Sequence, residues 1–373
     1  MARDSNDPQG EAAVSYPGLT SHRAVLAWAA VLAVALSAAD PVAAQSAAGD
    51  DELAKFYKQN GLRLVVASGA GGGFDGYSRV LARHYGNHLP GNPNIVVQNM
   101  PGASGIQATN HLYTIAERDG TVIGATANTM PLDPLLGGPA SRFDPRQLGW
   151  IGSIGKQINV CLAWHTSNIK RFEQVQQQEV KVSATGATGW RAIMPRLLNS
   201  VAGTKYKVIT GYATTESMLA VERGEVDGIC TTFETLMASQ QQWLVDKKVT
   251  FLAQFGFEPI PALKDVPMGL TFVKDPTDLE AIRLIFLQQE TGRPIVAPPN
   301  VPADRMQILR KAFDDSMKDP AFLAEAAKAQ LDVSPLSGAA IDDMLRKAYA
   351  TPPAIVEHAK VILARATAVE KKE

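Results

Sequence analysis

LRLVVASGAGGGFDGYSRVLARHYGNHL, residues 62–89, is an apolar run, a glycine-rich turn and a helical pattern in immediate succession. Residues 62–67 form a continuous apolar stretch of strand length, after which Tyr77, Val80, Leu81 and Tyr85 recur at helical spacing. A strand that empties through glycines into a helix leaves several backbone N–H groups pointing at one spot. The helix dipole makes that spot attractive to an anion. This turn is therefore the expected place for a ligand.

The same alternation continues outward. Strands are expected at residues 94–98, 122–125, 159–163, 180–184, 207–209 and 250–253, and helices at 106–116, 191–201, 215–223 and 233–244. Behind the Pro-rich connector APPNVP (297–302), helices are expected at 303–318, 321–329, 341–350 and 354–366. Strands alternating with helices predict an α/β protein with mostly parallel sheets. The length exceeds what one core usually serves, so two lobes are expected. The boundaries read as residues 45–157 plus 255–373 for lobe 1 and 158–254 for lobe 2, with crossings near 155–159 and 254–257.

Residues 24–38 (AVLAWAAVLAVALSA) are an uncharged apolar run preceded by His22 and Arg23 and followed by Val42, Ala43 and Ala44. This is the pattern of a secretory signal cleaved after Ala44, although residues 1–21 are long and weakly basic for a leader. The run is shorter than the roughly twenty residues that span a bilayer, so a retained anchor is the weaker alternative. Residues 1–44 are set aside as signal peptide and leader, and a periplasmic, soluble mature chain is expected. The full chain has 36 Lys+Arg and 37 Asp+Glu, and losing Arg3, Arg23, Asp4, Asp7, Glu11 and Asp40 leaves the two signs nearly equal. Such balance argues against nucleic acid or an anionic membrane surface as partner. The two cysteines, Cys161 and Cys230, are candidates for a disulfide in an oxidising compartment, with two buried thiols as the alternative. They form no CxxC pair, which removes redox catalysis.

Several motifs in order now become specific. The glycine turn ending in Asp75 is followed by NIVVQNMPGASGIQATNHL (94–112) and the turn Asp119-Gly120-Thr121; ERGEVDG (222–228), LKDVP (263–267) and APPNVP come after. Together they resemble the substrate-binding proteins of tripartite tricarboxylate transporters, the Bug family, with Arg118 in place of a usual proline. The resemblance implies a two-lobed periplasmic-binding-protein fold of the Venus flytrap, type II-like kind, without catalysis or cofactor. It implies capture of a small organic carboxylate by hinge closure and delivery to integral membrane subunits of a secondary transporter. A monomer is expected.

The candidate ligand contacts fall into several groups. Ser68, Gly71, Gly72, Gly73, Phe74 and Asp75 form the first turn. Asp75 also reads as a helix N-cap, and Phe74 either covers the ligand or packs under the loop. Asn128 and Thr129, and Thr232 beside Thr231, follow strands whose carboxyl ends are where α/β sheets place ligands. VSATGATGW (182–190) repeats the strand-to-loop-to-helix design, giving Thr185, Gly186, Ala187 and Thr188, with a plain helix entry as the alternative. Arg191 is either a two-pronged carboxylate clamp or a solvent-facing first-turn residue. Tyr212 stands where the family has a proline-tyrosine-lysine-glycine turn, but the proline and lysine are absent.

Residues 71–76 (GGGFDG) also satisfy GxGxxG. The second strand, however, ends in Gln98 and Asn99 instead of a ribose-binding acid, and Asp75 would repel a pyrophosphate. Catalytic patterns fail too. Ser104 lacks the GxSxG spacing, His84 and His88 have no glutamate beside them, and Asp314 and Asp315 read as a solvated helix face. No metal site is expected. The remaining alternatives are an exported α/β enzyme acting on a small carboxylate and a periplasmic ligand sensor.

Overall fold

The computed structural model describes residues 41–71, 73–186, 189–212 and 214–368. The expected signal run 24–38 and the candidate residues Gly72, Ala187 and Thr188 lie outside the described residues. The chain divides into two compact units, Met1–Glu52 and Leu53–Glu373. Of the first, only the opening of a helix, Pro41–Asn60, is described. Both sheets of the protein belong to the second.

Those two sheets, each with helices on both faces, make a two-lobed α/β architecture. The first contains β1 (Leu62–Val66), β2 (Ile95–Asn99), β3 (Val122–Ala125), β4 (Gly149–Ser153), β10 (Pro294–Ala297) and β11 (Leu336–Ser337), in the order β11-β4-β10-β3-β1-β2. The second contains β5 (Asn159–Trp164), β6 (Val180–Ala184), β7 (Tyr206–Thr210), β8 (Gly228–Thr232) and β9 (Val249–Phe255), in the order β7-β6-β8-β5-β9.

The sheets are mixed, where mostly parallel ones were expected. Each has a parallel core of three strands, β2-β1-β3 and β7-β6-β8. β10 runs antiparallel to β3, and β5 antiparallel to β8. The reason is the crossing. β5 and β10 are the strands by which the chain arrives from the opposite sheet. Each enters at the carboxyl end of the parallel core it joins, so it must run against that core.

Apolar side chains fix the layers. On one face of the first sheet, Leu64, Val66 and Ile123 pack with Tyr77 and Leu81 of the Gly73–Tyr85 helix and with Leu309 and Phe313 of the Ala303–Ser316 helix. On the other, Val65, Val122 and Trp150 meet Leu112, Ile341 and Leu345. Gly152 in β4 is required by this packing, since a Cβ there would lie 2.2 Å from the Phe313 ring. In the second sheet, Val182 and Ala253 pack with the Trp190–Ala202 helix. The same core takes Ile282 and Ile285 from Pro276–Phe286 and Ala359 and Ile362 from Pro353–Thr367. The expected helix at 233–244 is broken in two, Phe233–Ser239 and Gln241–Val245.

Cys161 and Cys230 are register partners on β5 and β8 and are joined as a disulfide, which settles the choice the sequence left open. Among the described residues, no helix is long and apolar enough to cross a membrane.

Candidate functional site

Two of the chain segments that pass between the lobes, 154–159 and 289–293, lie side by side. Ile154 N donates to Arg293 O (3.0 Å), Gln157 N to Gln289 O (2.8 Å) and Asn159 N to Gln289 Oε1 (3.0 Å). Lys156 pairs with Glu290 at 2.6 Å.

A cavity of about 300 Å3 opens against this double crossing. Asn128 and Thr129 reach it from the loop after β3, and Gln157 and Asn159 from the first crossing segment. Thr185, Trp190, Arg191, Thr231, Thr232 and Thr235 come from the second lobe, and Gln288 and Gln289 from the turn after the Pro276–Phe286 helix. Thr232 caps the Phe233–Ser239 helix, its Oγ1 accepting from Thr235 N at 3.2 Å, which fixes the adjacent hydroxyls. The Trp190 indole donates to Asn159 Oδ1 (2.9 Å) and meets Phe286 edge-on, with 6.0 Å between ring centroids.

Arg191 is the only charged group among the described lining residues. Its Nε donates to Thr231 Oγ1 at 3.2 Å, and no acid among the described residues pairs with it. Burial lowers its pKa, the sign of a cation separated from water without a counter-charge. As second residue of the Trp190–Ala202 helix, it also faces the unfavourable positive end of that helix dipole. A bound anion relieves both. Gln289 is 1% exposed, and while its Oε1 is used, its Nε2 is buried without a partner among the described residues. An acceptor is needed there too.

Of the residues expected from sequence, the cavity brings together Asn128, Thr129, Thr185, Arg191 and Thr232. Ser68, Gly71, Gly73, Phe74, Asp75, Gly186 and Tyr212 are not among its lining residues. Tyr212 instead lies near Glu225, at 3.5 Å. Sequence reading missed Gln157, Asn159, Trp190, Thr235, Gln288 and Gln289, which also line this cavity. The one local signal was the Gln288-Gln289 pair interrupting an apolar helix and an apolar strand.

Asp75 organises the glycine turn. Its carboxylate accepts from Arg79 Nε (2.8 Å), Gly71 N (2.9 Å) and Asn99 Nδ2 (2.8 Å), and Asn99 also donates to Ser68 O (3.0 Å). Because the helix begins at Gly73, Asp75 lies in its first turn and not at the cap. The Arg79 hydrogen bond, followed by the Gly71 and Asn99 bonds, outweighs burial and lowers the carboxyl to about 2. A depressed folded-state pKa contributes stability above the unfolded value, and this is lost as pH falls through about 2. Asp75→Asn should therefore cost on the order of 2 kcal/mol at pH 7 and almost nothing at pH 2, measured by denaturant titration. Equal losses at the two pH values would refute this assignment.

Beside the turn, the Arg293 guanidinium lies over the rings of Phe74 (4.7 Å) and Tyr77 (4.8 Å). With the Gln157 amide oriented to suit it, Arg293 Nη1 donates to the Gln157 oxygen at 2.6 Å. Phe74 thus packs on a cation under the loop. The PGASG segment follows the same edge: Gly105, at φ +98°, brings the chain to within 2.9 Å of the Ala127 Cβ, measured from the position its own Cβ would take. His84 and His88 are half-buried and bond Glu325 (2.7 Å) and Asp319 (3.1 Å). No group of His, Cys, Asp and Glu among the described residues is placed to hold a metal.

The chain resembles a TctC solute-binding protein from Polaromonas, with 16% identity, coverage of 81% of this chain and 97% of that one, and a TM-score of 0.63. It resembles MatC from Rhodopseudomonas palustris with bound malate (15% identity, 81% and 98% coverage, TM-score 0.55). It also resembles R. palustris Rpa4515 with adipate (15% identity, 82% and 97% coverage, TM-score 0.56). These likenesses establish the fold: the chain shares its two-lobed α/β architecture with solute-binding proteins of this kind. No protein-family model and no curated relative matches it.

Proposed function

We propose that this chain is an extracytoplasmic receptor that captures a small organic carboxylate between its lobes and hands it to the membrane subunits of a tripartite tricarboxylate-type transporter. The observation that carries the reading is Arg191, a desolvated cation with no acid partner among the described residues, in an otherwise neutral, hydrogen-bonding cavity beside the double crossing. The fold shared with malate- and adipate-bound proteins supports it.

In this reading residues 1–44 are a signal peptide and leader removed after Ala44, and the mature monomer works in the periplasm. Read along the sequence, lobe 1 is 45–157 plus 255–373 and lobe 2 is 158–254, but Pro276–Phe286 and Pro353–Thr367 join the core of lobe 2, so the chain returns to the first sheet through residues 289–293. Hinge motion about the crossing segments brings Ser68, Gly71, Gly72, Gly73, Phe74 and Asp75 toward the ligand, opposite Thr185, Gly186, Ala187 and Thr188. The protein binds without chemical conversion.

A panel of aliphatic, hydroxylated and aromatic carboxylates, each beside its neutral amide, tests the reading by thermal shift. At least one acid should raise Tm by several degrees at a hundredfold excess over Kd, where linkage supplies about 2.7 kcal/mol, and its amide should not. The acid should be recovered unchanged. Turnover, or stabilisation by amides alone, would exclude the proposal.

A further inference from the structure

We infer that the ligand is a polyhydroxylated monocarboxylate of the sugar-acid class. This rests on the carboxylate reading above and narrows it.

Charge gives the first restriction. Among the described lining residues Arg191 is the only ionic group, and no acid accompanies it. One carboxylate saturates that cation. A second or third carboxylate would be separated from water against neutral groups, and an amino acid would bring an ammonium with no counter-charge. Arg293 offers no second anchor in the cavity, because it is stacked on Phe74 and Tyr77 behind Gln157.

The neutral groups give the second. Asn128 and Gln288 are carboxamides with donors and an acceptor, and the threonine hydroxyls also do both, whereas the oxygens of Gln157 and Gln289 are already used by Arg293 and Asn159 N and leave only their N–H groups for a ligand. A carboxylate only accepts, so amide oxygens around it would face oxygen. A ligand hydroxyl donates and accepts, and a vicinal pair spans one carboxamide. Gln289 adds one demand: its Oε1 is committed to Asn159 N, while Nε2, buried and unpaired among the described residues, needs an oxygen acceptor besides the one Arg191 takes. Trp190, held by Asn159, adds an aromatic surface suited to the C–H face of a polyol chain or sugar ring. The volume, about 300 Å3, is at the small end for ligand pockets and suits a single short chain or ring.

Titration calorimetry of the purified protein with gluconate, malate, citrate, glutamate and glucose tests the inference. Gluconate should bind at least tenfold more tightly than malate, citrate or glutamate, and glucose should not bind measurably. Trp190→Leu should weaken gluconate about tenfold, the size of one aromatic contact. Gln289→Glu keeps the acceptor for Asn159 but turns the free donor into an acceptor, and should weaken gluconate at least a hundredfold. Asn128→Asp, on a half-buried loop, serves the same purpose if Gln289→Glu fails to fold by circular dichroism. Malate, citrate or glutamate as the tightest ligand would overturn the sugar-acid assignment while leaving a carboxylate receptor. Failure of all four acids would overturn both.

Discussion

Removing the Cys161–Cys230 disulfide should destabilise the protein by about 4 kcal/mol, because a bridge across a sequence separation of 69 residues restricts the unfolded chain by that much in the loop-entropy description. Both cysteines are completely buried, on adjacent strands in the interior of the second sheet. Reductant therefore reaches them only after opening, and a Cys161→Ala, Cys230→Ala double variant is the cleaner probe. Its Tm should fall by roughly 10 °C. The register of β5 on β8, which places Asn159 opposite Thr232, is also fixed by backbone hydrogen bonds. Ligand affinity in the folded variant should therefore change little. A loss below about 1 kcal/mol in guanidinium titration would mean that the reduced unfolded chain is already compact across this span, and a large loss of affinity would mean that the bridge itself sets the cavity geometry.

The sequence disclosed local structure far better than it disclosed the cavity. Residues 62–89 were legible because strand, turn and helix are each encoded by neighbours, and β1 and the Gly73–Tyr85 helix lie where the periodicity put them. β4 was missed because Gly149 and Gly152 dilute its apolar pattern, although Gly152 is required by Phe313 from a distant helix. The helix Pro276–Phe286 had readable signals that went unused: Asp275 at the cap, accepting from Asp278 N at 2.9 Å, and proline at the first position.

The glycine turn was legible as a local element. Its composition pointed to a ligand loop, yet its most conspicuous side chains are engaged locally, Asp75 with Arg79, Gly71 and Asn99, and Phe74 with Arg293. Gln157, Asn159, Gln288 and Gln289 were invisible for a different reason. They are brought together by two chain segments more than a hundred residues apart, whose pairing across the lobe crossing has no local signature. Thr185 and Thr232 were legible because strand ends in α/β sheets are general ligand positions, independent of the partner segment.

Arg191→Gln should reduce carboxylate affinity by more than about a hundredfold, or roughly 3 kcal/mol, the scale of losing a charge-assisted, partly desolvated pair. The free protein should not suffer. Without ligand, Arg191 makes the 3.2 Å contact to Thr231, has no acid partner among the described residues, faces a helix N-terminus and is partly removed from water. Glutamine relieves the charge penalty while retaining hydrogen-bonding capacity, so the ligand-free Tm should be unchanged or slightly higher, as at other sites that trade stability for function. Arg191→Lys separates charge from geometry. It keeps a cation but loses the planar two-pronged fork, and binding should fall by an intermediate factor of about ten. Calorimetry on the three proteins with the acid that gives the largest thermal shift decides the matter. If Arg191→Gln binds within about threefold of the parent, the carboxylate sits elsewhere. The glycine turn beside Arg293, where a helix N-terminus and a second cation also lie together, then becomes the place to look.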